Sequence, residues 1–433
     1  MKKWMIFMAF AMLICIAATA QPTPAPEQEG SILIVGAIAH IGNGDKIENA
    51  GIGFKNGVFT YVGSAANADR RDYDEVIEAI GKHAYPGFIA PNSTLGLQEV
   101  GAVRASRDQY EIGTFRPNVR SIIAFNTESE ITPTVRTNGV LIGQITPRGG
   151  IISGTSSVVH FDAWNWEDAA IVMEDGIHVN WPSMYHRHYE KGKAEVKRRK
   201  TVDQTLTEIE DFFAKAKAYA GGGSNYKDLK FESMKGLFSG DLNLYVHAND
   251  IKQINEAVQF KKKMGIDKLV IVGGYDSHLC ADLLRDNKVA VMVRRVHDLP
   301  RFDEDDLDLP YKLPKLLADE GVLFCLENSG DMEQMGTRNL PFYAGTAAAY
   351  GLTYEQAVQA ISLNSARILG VDDQLGSIEK GKDATIFISD GDALDMIGNA
   401  VTHAFINGRS IDLDNRQKKL YRKYKSKYNN KKN

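Results

Sequence analysis

Cysteine is scarce in this sequence. Cys15, Cys280 and Cys325 are the only three in 433 residues, too few for a disulfide framework, so stability has to come from a buried core. Long apolar runs are missing too. Beyond the first twenty residues, no stretch is apolar over the roughly 20 positions a membrane-spanning helix needs. The body also lacks positive charge. The formal net charge is −4, and setting aside Lys2, Lys3 and the basic residues after Asn415 leaves the remainder near −15. A body of that sign does not attract nucleic acid. What is present is ordinary for a large folded protein: 43% hydrophobic and 24% charged residues, enough to fill one large domain and a smaller one.

The first residues read as an export signal. Lys2 and Lys3 precede an uncharged stretch from Trp4 to Ala17, and Ala18-Thr19-Ala20 is a small-x-small cleavage site before Gln21. An uncleaved anchor is the alternative, but the apolar run is short for a span. Cys15 lacks the small residues a lipidation site requires before it. The expected protein is therefore exported, periplasmic or secreted, with no membrane span after cleavage.

Residues 21–30 form a Pro-rich linker. A β-rich block follows over 31–84, with Asn56-Gly57 marking a hairpin tip between Ala50–Phe54 and Val58–Val62. Over 85–371 short β runs alternate with helical stretches. Residues 139–145, 242–246, 268–272, 289–293 and 322–326 read as strands. Residues 203–219, 251–263, 277–285, 340–350 and 354–361 read as helices. That alternation points to a parallel α/β architecture, and its length fits a (β/α)8 TIM barrel. After residue 371 the chain returns to β, with Asn407-Gly408 as a second hairpin turn, until 414. The fold class is thus α/β, a TIM barrel with a small β-sandwich built from both chain ends. A basic tail, 415–433, closes the chain with nine Lys or Arg and no acid. It reads as a solvated helix, or as a segment that touches anionic lipid or an acidic partner.

Several blocks in this order resemble the amidohydrolase superfamily, in its imidazolonepropionase-related branch. They are Gly57-Val58-Phe59-Thr60-Tyr61-Val62-Gly63, Tyr85-Pro86-Gly87-Phe88-Ile89, Asn364-Ser365-Ala366-Arg367-Ile368-Leu369-Gly370, and the segment from Gly376 to Ala384. The resemblance implies a barrel whose strand ends hold a divalent metal ion such as zinc. Such an ion polarises a carbonyl and supplies hydroxide at neutral pH. In that family strand one carries His-x-His, strands five and six carry further histidines, and an aspartate ends strand eight.

This sequence departs at most of those places. The His-x-His aligns with Asn92-Ser93-Thr94, and amide and hydroxyl oxygens are poor transition-metal ligands. His247 matches the strand-five histidine. Strand six reads Val270-Ile271-Val272-Gly273-Gly274, with His278 several residues on. The end of strand eight reads Glu327-Asn328-Ser329-Gly330-Asp331, where Asp331 holds the family aspartate's place or lies just past it. The resemblance therefore marks His247 and Asp331 as the candidate catalytic groups. It marks His247 as the one candidate metal ligand, and Asn92, Thr94, Glu327 and Asn328 as candidate substrate contacts. At most one divalent metal ion is implied, or none.

Weaker candidates are the Gly-rich segment Arg148–Gly154 and the charged stretch Glu99, Arg104, Arg107, Asp108 and Glu111. His186, Arg187 and His188, near Trp181, are another. Each has a plain alternative, a tight turn or a solvated surface. Two functions stay open. One is hydrolysis of a carbon–nitrogen bond other than a peptide bond. The other is an inactive or regulatory barrel that binds a small ligand or pairs with an intact amidohydrolase subunit. Expected partners are a small molecule and either a second copy or such a relative.

Overall fold

A computed structural model describes residues 23–190, 193–222 and 226–429. The expected signal sequence, 1–20, lies outside the described residues.

The N-terminal strands are β1 Ser31–His40, β2 Lys46–Lys55, β3 Val58–Ser64, β4 Glu75–Glu78 and β5 His83–Pro86. Asn56 and Gly57, at φ 52° and 80°, make the tight turn between β2 and β3. Two successive positive φ values suit the right-handed twist of a two-residue hairpin, and Asn-Gly tolerates them. The barrel strands follow: β6 Phe88–Ser93, β7 Val140–Ile145, β8 Ile152–His160 and β9 Ala170–Asn180. After the hairpin β10 Tyr185–Glu190 and β11 Lys193–Arg198 come β12 Asn243–Ala248, β13 Leu269–Gly273, β14 Ala290–Val293 and β15 Phe324–Leu326. The last strands are β16 Ile386–Ser389, β17 Val401–Ile406 and β18 Arg409–Ser410.

Both chain ends build one sheet in the order β18-β17-β16-β5-β1-β2-β3, with β4 also paired to β1. It has its own core, including Ile34, Ile52, Phe54, Ile386 and Phe405. The second sheet runs β6-β7-β8-β9-β12-β13-β14-β15. It is a nearly closed eight-stranded barrel, and helices such as Val202–Ala220 and Ile251–Met264 cover it. In the first of these, Ile209, Phe213 and Ala216 are buried at helical spacing.

The barrel is not uniformly parallel. β8 runs antiparallel to both β7 and β9. Only residues 146–151 join β7 to β8, and a parallel crossover needs about a dozen residues or more. Gly149 and Gly150 make that short return possible, at φ 84° and 68°. A Cβ at Gly150 would sit 2.8 Å from the Thr114 carbonyl oxygen. Arg148–Gly154, expected as a turn, is thus a turn running into a strand.

The barrel and the end sheet meet at Asp162. This carboxylate is 4% exposed and pairs with Arg136 and Arg409. The linker is drawn into the same contact, since Ala25 donates its N–H to Asp162 at 2.9 Å. Cys280 and Cys325 are both free. Among the described residues no helix is long and apolar enough to cross a membrane.

Candidate functional site at the barrel mouth

The site begins with a break in β6. Its register against β7 shifts between Ala90 and Ser93. Pro91 has no N–H to give the ladder, and a bulge is the usual result. Asn92 takes φ 50° there, a left-handed conformation that asparagine tolerates better than most residues. Its N–H donates to Gln144 Oε1 at 2.9 Å. Its side chain turns into the C-terminal mouth of the barrel, where such folds place their chemistry.

Asn92 is held from two sides. Arg148, in the β7–β8 turn, donates to Asn92 Oδ1 at 2.9 Å and to its backbone oxygen at 2.8 Å. Asn92 Nδ2 donates to Glu327 Oε2 at 3.2 Å. Arg148 also pairs with Glu333 at 3.2 Å. Glu327 is fully buried and accepts from the Ser329 hydroxyl at 2.6 Å and from the Ser329 N–H. Burial raises its pKa, and the two Ser329 hydrogen bonds and then the Arg148 guanidinium only partly offset this.

Across the mouth stands a histidine pair. His247, on β12, meets His178 of β9 at 2.9 Å through Nε2 and Nδ1. His178 Nε2 in turn meets the Ser156 hydroxyl at 2.8 Å. Burial, and secondarily Arg148, hold the His247 pKa down at about 3, so the ring is neutral at physiological pH. His178 is fully buried and its pKa is also lowered, first by burial and then by the neighbouring His247. Beneath the pair, Tyr245 stacks on His178 with ring centroids 4.5 Å apart. Tyr245 donates to Asp175 at 2.6 Å, and Gln144 donates to the same oxygen at 2.7 Å. Gln144 therefore links the Asn92 backbone to the layer below the histidines.

The other expected residues fall as follows. Thr94 is fully buried and its hydroxyl has no hydrogen-bond partner. Asn328 acts as a clip, donating to the Glu333 carbonyl at 2.6 Å and accepting from the Tyr343 hydroxyl at 2.7 Å. Asp331 lies on the exposed loop beyond β15, where its backbone oxygen accepts from Arg295 at 3.2 Å. Glu327, not Asp331, stands at the end of the strand. His278 sits in the short turn Ser277–Cys280. Arg104, Arg107, Asp108 and Glu111 are exposed. His186, Arg187 and His188 lie on β10, and their side chains are outside the described residues. Trp181 is buried and donates to Glu256 at 3.1 Å.

Sequence reading missed Arg148 as a mouth residue, along with His178, Asp175 and Glu333. A usable signal existed for two of them. Arg148 follows a barrel strand by three residues, and His178 alternates with Asn180 on a strand ending in the same layer.

The donor set does not fit a transition metal. Among the described residues, no group of three or more His, Cys, Asp or Glu is placed to hold an ion. Three protein ligands are the minimum for such sites. Gly273 ends strand six at φ 103°, and a Cβ there would lie 2.6 Å from Asn249 Oδ1. At that φ any L side chain is strained, so a ligating residue is disfavoured at that position. The Arg148 guanidinium also brings a fixed positive charge to Asn92.

Residues 311–411 match the sequence profile of the Amidohydrolase family. No curated protein matches the sequence. Among solved structures, an amidohydrolase from Thermotoga maritima MSB8 is similar with a TM-score of 0.74 and 23% identity, over 88% of this chain and 99% of that one. A molinate hydrolase is similar with a TM-score of 0.53 and 16% identity, over 90% and 96%. A zinc-bound adenosine deaminase from Xanthomonas campestris follows with a TM-score of 0.52 and 15% identity, over 93% and 99%.

Proposed function

From the premise of an amidohydrolase barrel, with an amidohydrolase family segment over residues 311–411, we propose that this chain is a metal-free member. Its mouth binds a small amide- or carboxylate-bearing molecule without turning it over at metalloenzyme rates. The observation that carries this reading is Arg148. Its guanidinium holds Asn92 and Glu333 at the mouth and supplies, as an organic cation, the positive charge a metal ion supplies elsewhere. Such a fork is suited to carboxylates and carbonyl oxygens. Pairing with an intact amidohydrolase subunit belongs to the same proposal, as does export by residues 1–20. N-terminal sequencing of the secreted protein, with Gln21 expected first, tests the export.

A second reading is favoured by one observation. His247 is neutral, and its Nδ1 makes no hydrogen bond among the described residues. Across the mouth, Glu327 has a raised pKa. A free ring nitrogen and a carboxyl that tends to keep its proton are the groups that acid–base hydrolysis of a carbon–nitrogen bond uses. But a ring held at a pKa of about 3 is a weak base, and acid–base catalysis alone contributes at best about 10²–10⁴-fold.

The deciding experiment is metal analysis of the purified protein, with titration and turnover assays on N-acyl amino acids and cyclic amides. The first reading expects no stoichiometric zinc, saturable binding that is weakened in Arg148→Met, and no turnover. About one equivalent of zinc lost on His247→Ala overturns the metal-free reading. Metal-independent turnover abolished by both His247→Ala and Glu327→Gln establishes the second reading instead.

A further inference from the structure

The basic tail belongs to neither the barrel, the end sheet nor the mouth. It forms a helix, Arg416–Asn429, with no buried residue. Its first turn is fastened to the body. Asn415 caps it by accepting from the Lys418 N–H at 2.8 Å. Gln417 accepts from Thr134 at 2.8 Å, and Arg422 pairs with Asp414 at 2.6 Å. Beyond that turn the helix projects.

Its residues are sorted by face. At roughly 3.6 residues per turn, Leu420, Tyr421, Tyr424 and Tyr428 fall with Gln417 on one stripe about 100° wide. The stripe starts against the body where Gln417 meets Thr134 and is exposed from Leu420 on. Every lysine and arginine lies outside that stripe, with Lys427 bordering it on one side and Lys425 on the other. The stripe residues are 41%, 64%, 48% and 59% exposed, in that order. Lys425 sits over the Tyr421 ring at 5.4 Å, and Lys427 over the Tyr424 and Tyr428 rings at 6.0 and 5.7 Å, so each ring is bordered by a cation.

We propose that this helix docks the protein on an anionic lipid surface, lying in the headgroup plane with the tyrosine stripe inward and the basic face among the phosphates. Charge complementarity carries the choice. The tail has nine basic residues and no acid, while the remaining chain nets −13. An anionic bilayer therefore attracts the tail and repels the body, which orients the molecule. Tyrosine suits that depth, with an apolar ring and a hydroxyl that stays wet. A second copy of this chain is the less fitting occupant. Four partly exposed side chains offer about 400 Å² per copy, roughly half of what a stable interface buries on each partner.

Co-sedimentation of the full chain with vesicles tests this. One vesicle set is pure phosphatidylcholine and the other is one-third phosphatidylglycerol. The expected result is binding to the second set only. That binding should fall about ten-fold or more in Tyr421→Ser/Tyr424→Ser/Tyr428→Ser, and again when salt is raised to about 0.5 M. These substitutions are on the surface, so unchanged thermal unfolding confirms that the variant is folded. Equal binding to both vesicle sets, no binding to either, or full binding by the triple variant overturns the proposal. So does self-association of the full chain that the triple variant abolishes, which assigns the stripe to a second copy.

Discussion

Arg148 holds Asn92 by both of its oxygens, at 2.9 Å to Oδ1 and 2.8 Å to the backbone carbonyl. On its other side Asn92 gives Nδ2 to the buried Glu327. The residue between a guanidinium and a carboxylate must accept on one face and donate on the other. Asparagine does both without charge. Asn92 therefore fits between Arg148 and Glu327 as neither a charged nor an apolar residue would.

Asn92→Asp should break that arrangement in a pH-dependent way. It removes the donor to Glu327 and sets a second carboxylate beside it. The cost should be about 1–3 kcal/mol where both are ionised. Two close carboxylates raise one folded-state pKa above its unfolded value. The stability linked to that group is present at low pH and lost as pH rises through the raised value. Urea unfolding should thus show a larger deficit at pH 8 than at pH 5. An equal deficit at both would separate Asn92 from Glu327.

Much of the frame was legible because it is local. The Asn56-Gly57 hairpin, the long helix now at Val202–Ala220 and the strands ending near His247, Gly273 and Glu327 follow from turn chemistry and periodicity. The antiparallel return of β8 was hidden for a physical reason. Ile152–His160 is buried on both faces, so its sequence shows no alternation to read. The mouth was half legible. Asn92 and His247 stand out on their strands, but Arg148 comes from a turn 56 positions from the residue it holds. No local pattern encodes that contact. His178 was overlooked because it matches none of the positions through which the site was read.

Arg148→Met should move two titrations at once. The guanidinium lowers the pKa of His247, though less than burial does, and it also restrains the rise at Glu327. Removing it should raise the His247 pKa from about 3 toward, but not up to, the ordinary imidazole value. It should also push Glu327 further up. NMR titration of the His247 ring against pH checks this. An unmoved ring would mean that Arg148 is too well screened to set the electrostatics of the mouth.

Asp162→Ala should cost far more than a surface ion pair. Asp162 is 4% exposed, and its partners Arg136 and Arg409 have side chains 7% and 14% exposed. Removing the shared carboxylate strands two buried cations, for about 3–5 kcal/mol. Because Arg409 belongs to the end sheet and Arg136 precedes a barrel strand, the loss falls on the contact between the two layers. Denaturant unfolding followed by separate probes in barrel and end sheet should show the two transitions drawing apart. A loss below about 1 kcal/mol, the range of an exposed pair, would count against the pair being structural.

His160→Gln isolates a different pH effect. His160 is 8% exposed, its Nε2 lies 3.3 Å from Asn407 Nδ2, and its Nδ1 has no partner. Burial, and then the charge on Arg409, lower its pKa to about 4. The unfolded chain takes up this proton near pH 6.5 and the native chain only near pH 4. Between those values the unfolded state binds more protons, so stability is full above the window and lost as pH falls through it. The slope is about 1.4 kcal/mol per pH unit. Buried Glu327 and Asp175, whose pKa values are raised, act in the opposite sense, so the slope of the native protein alone assigns nothing. The difference between native protein and variant does, because the carboxylates are common to both. Glutamine accepts from Asn407 as the ring does but cannot titrate. Unfolding free energies from pH 6.5 down to pH 4.5 should therefore diverge, with the variant losing less at each step. Parallel curves would show that His160 is charged in the native protein or already buried in the unfolded one.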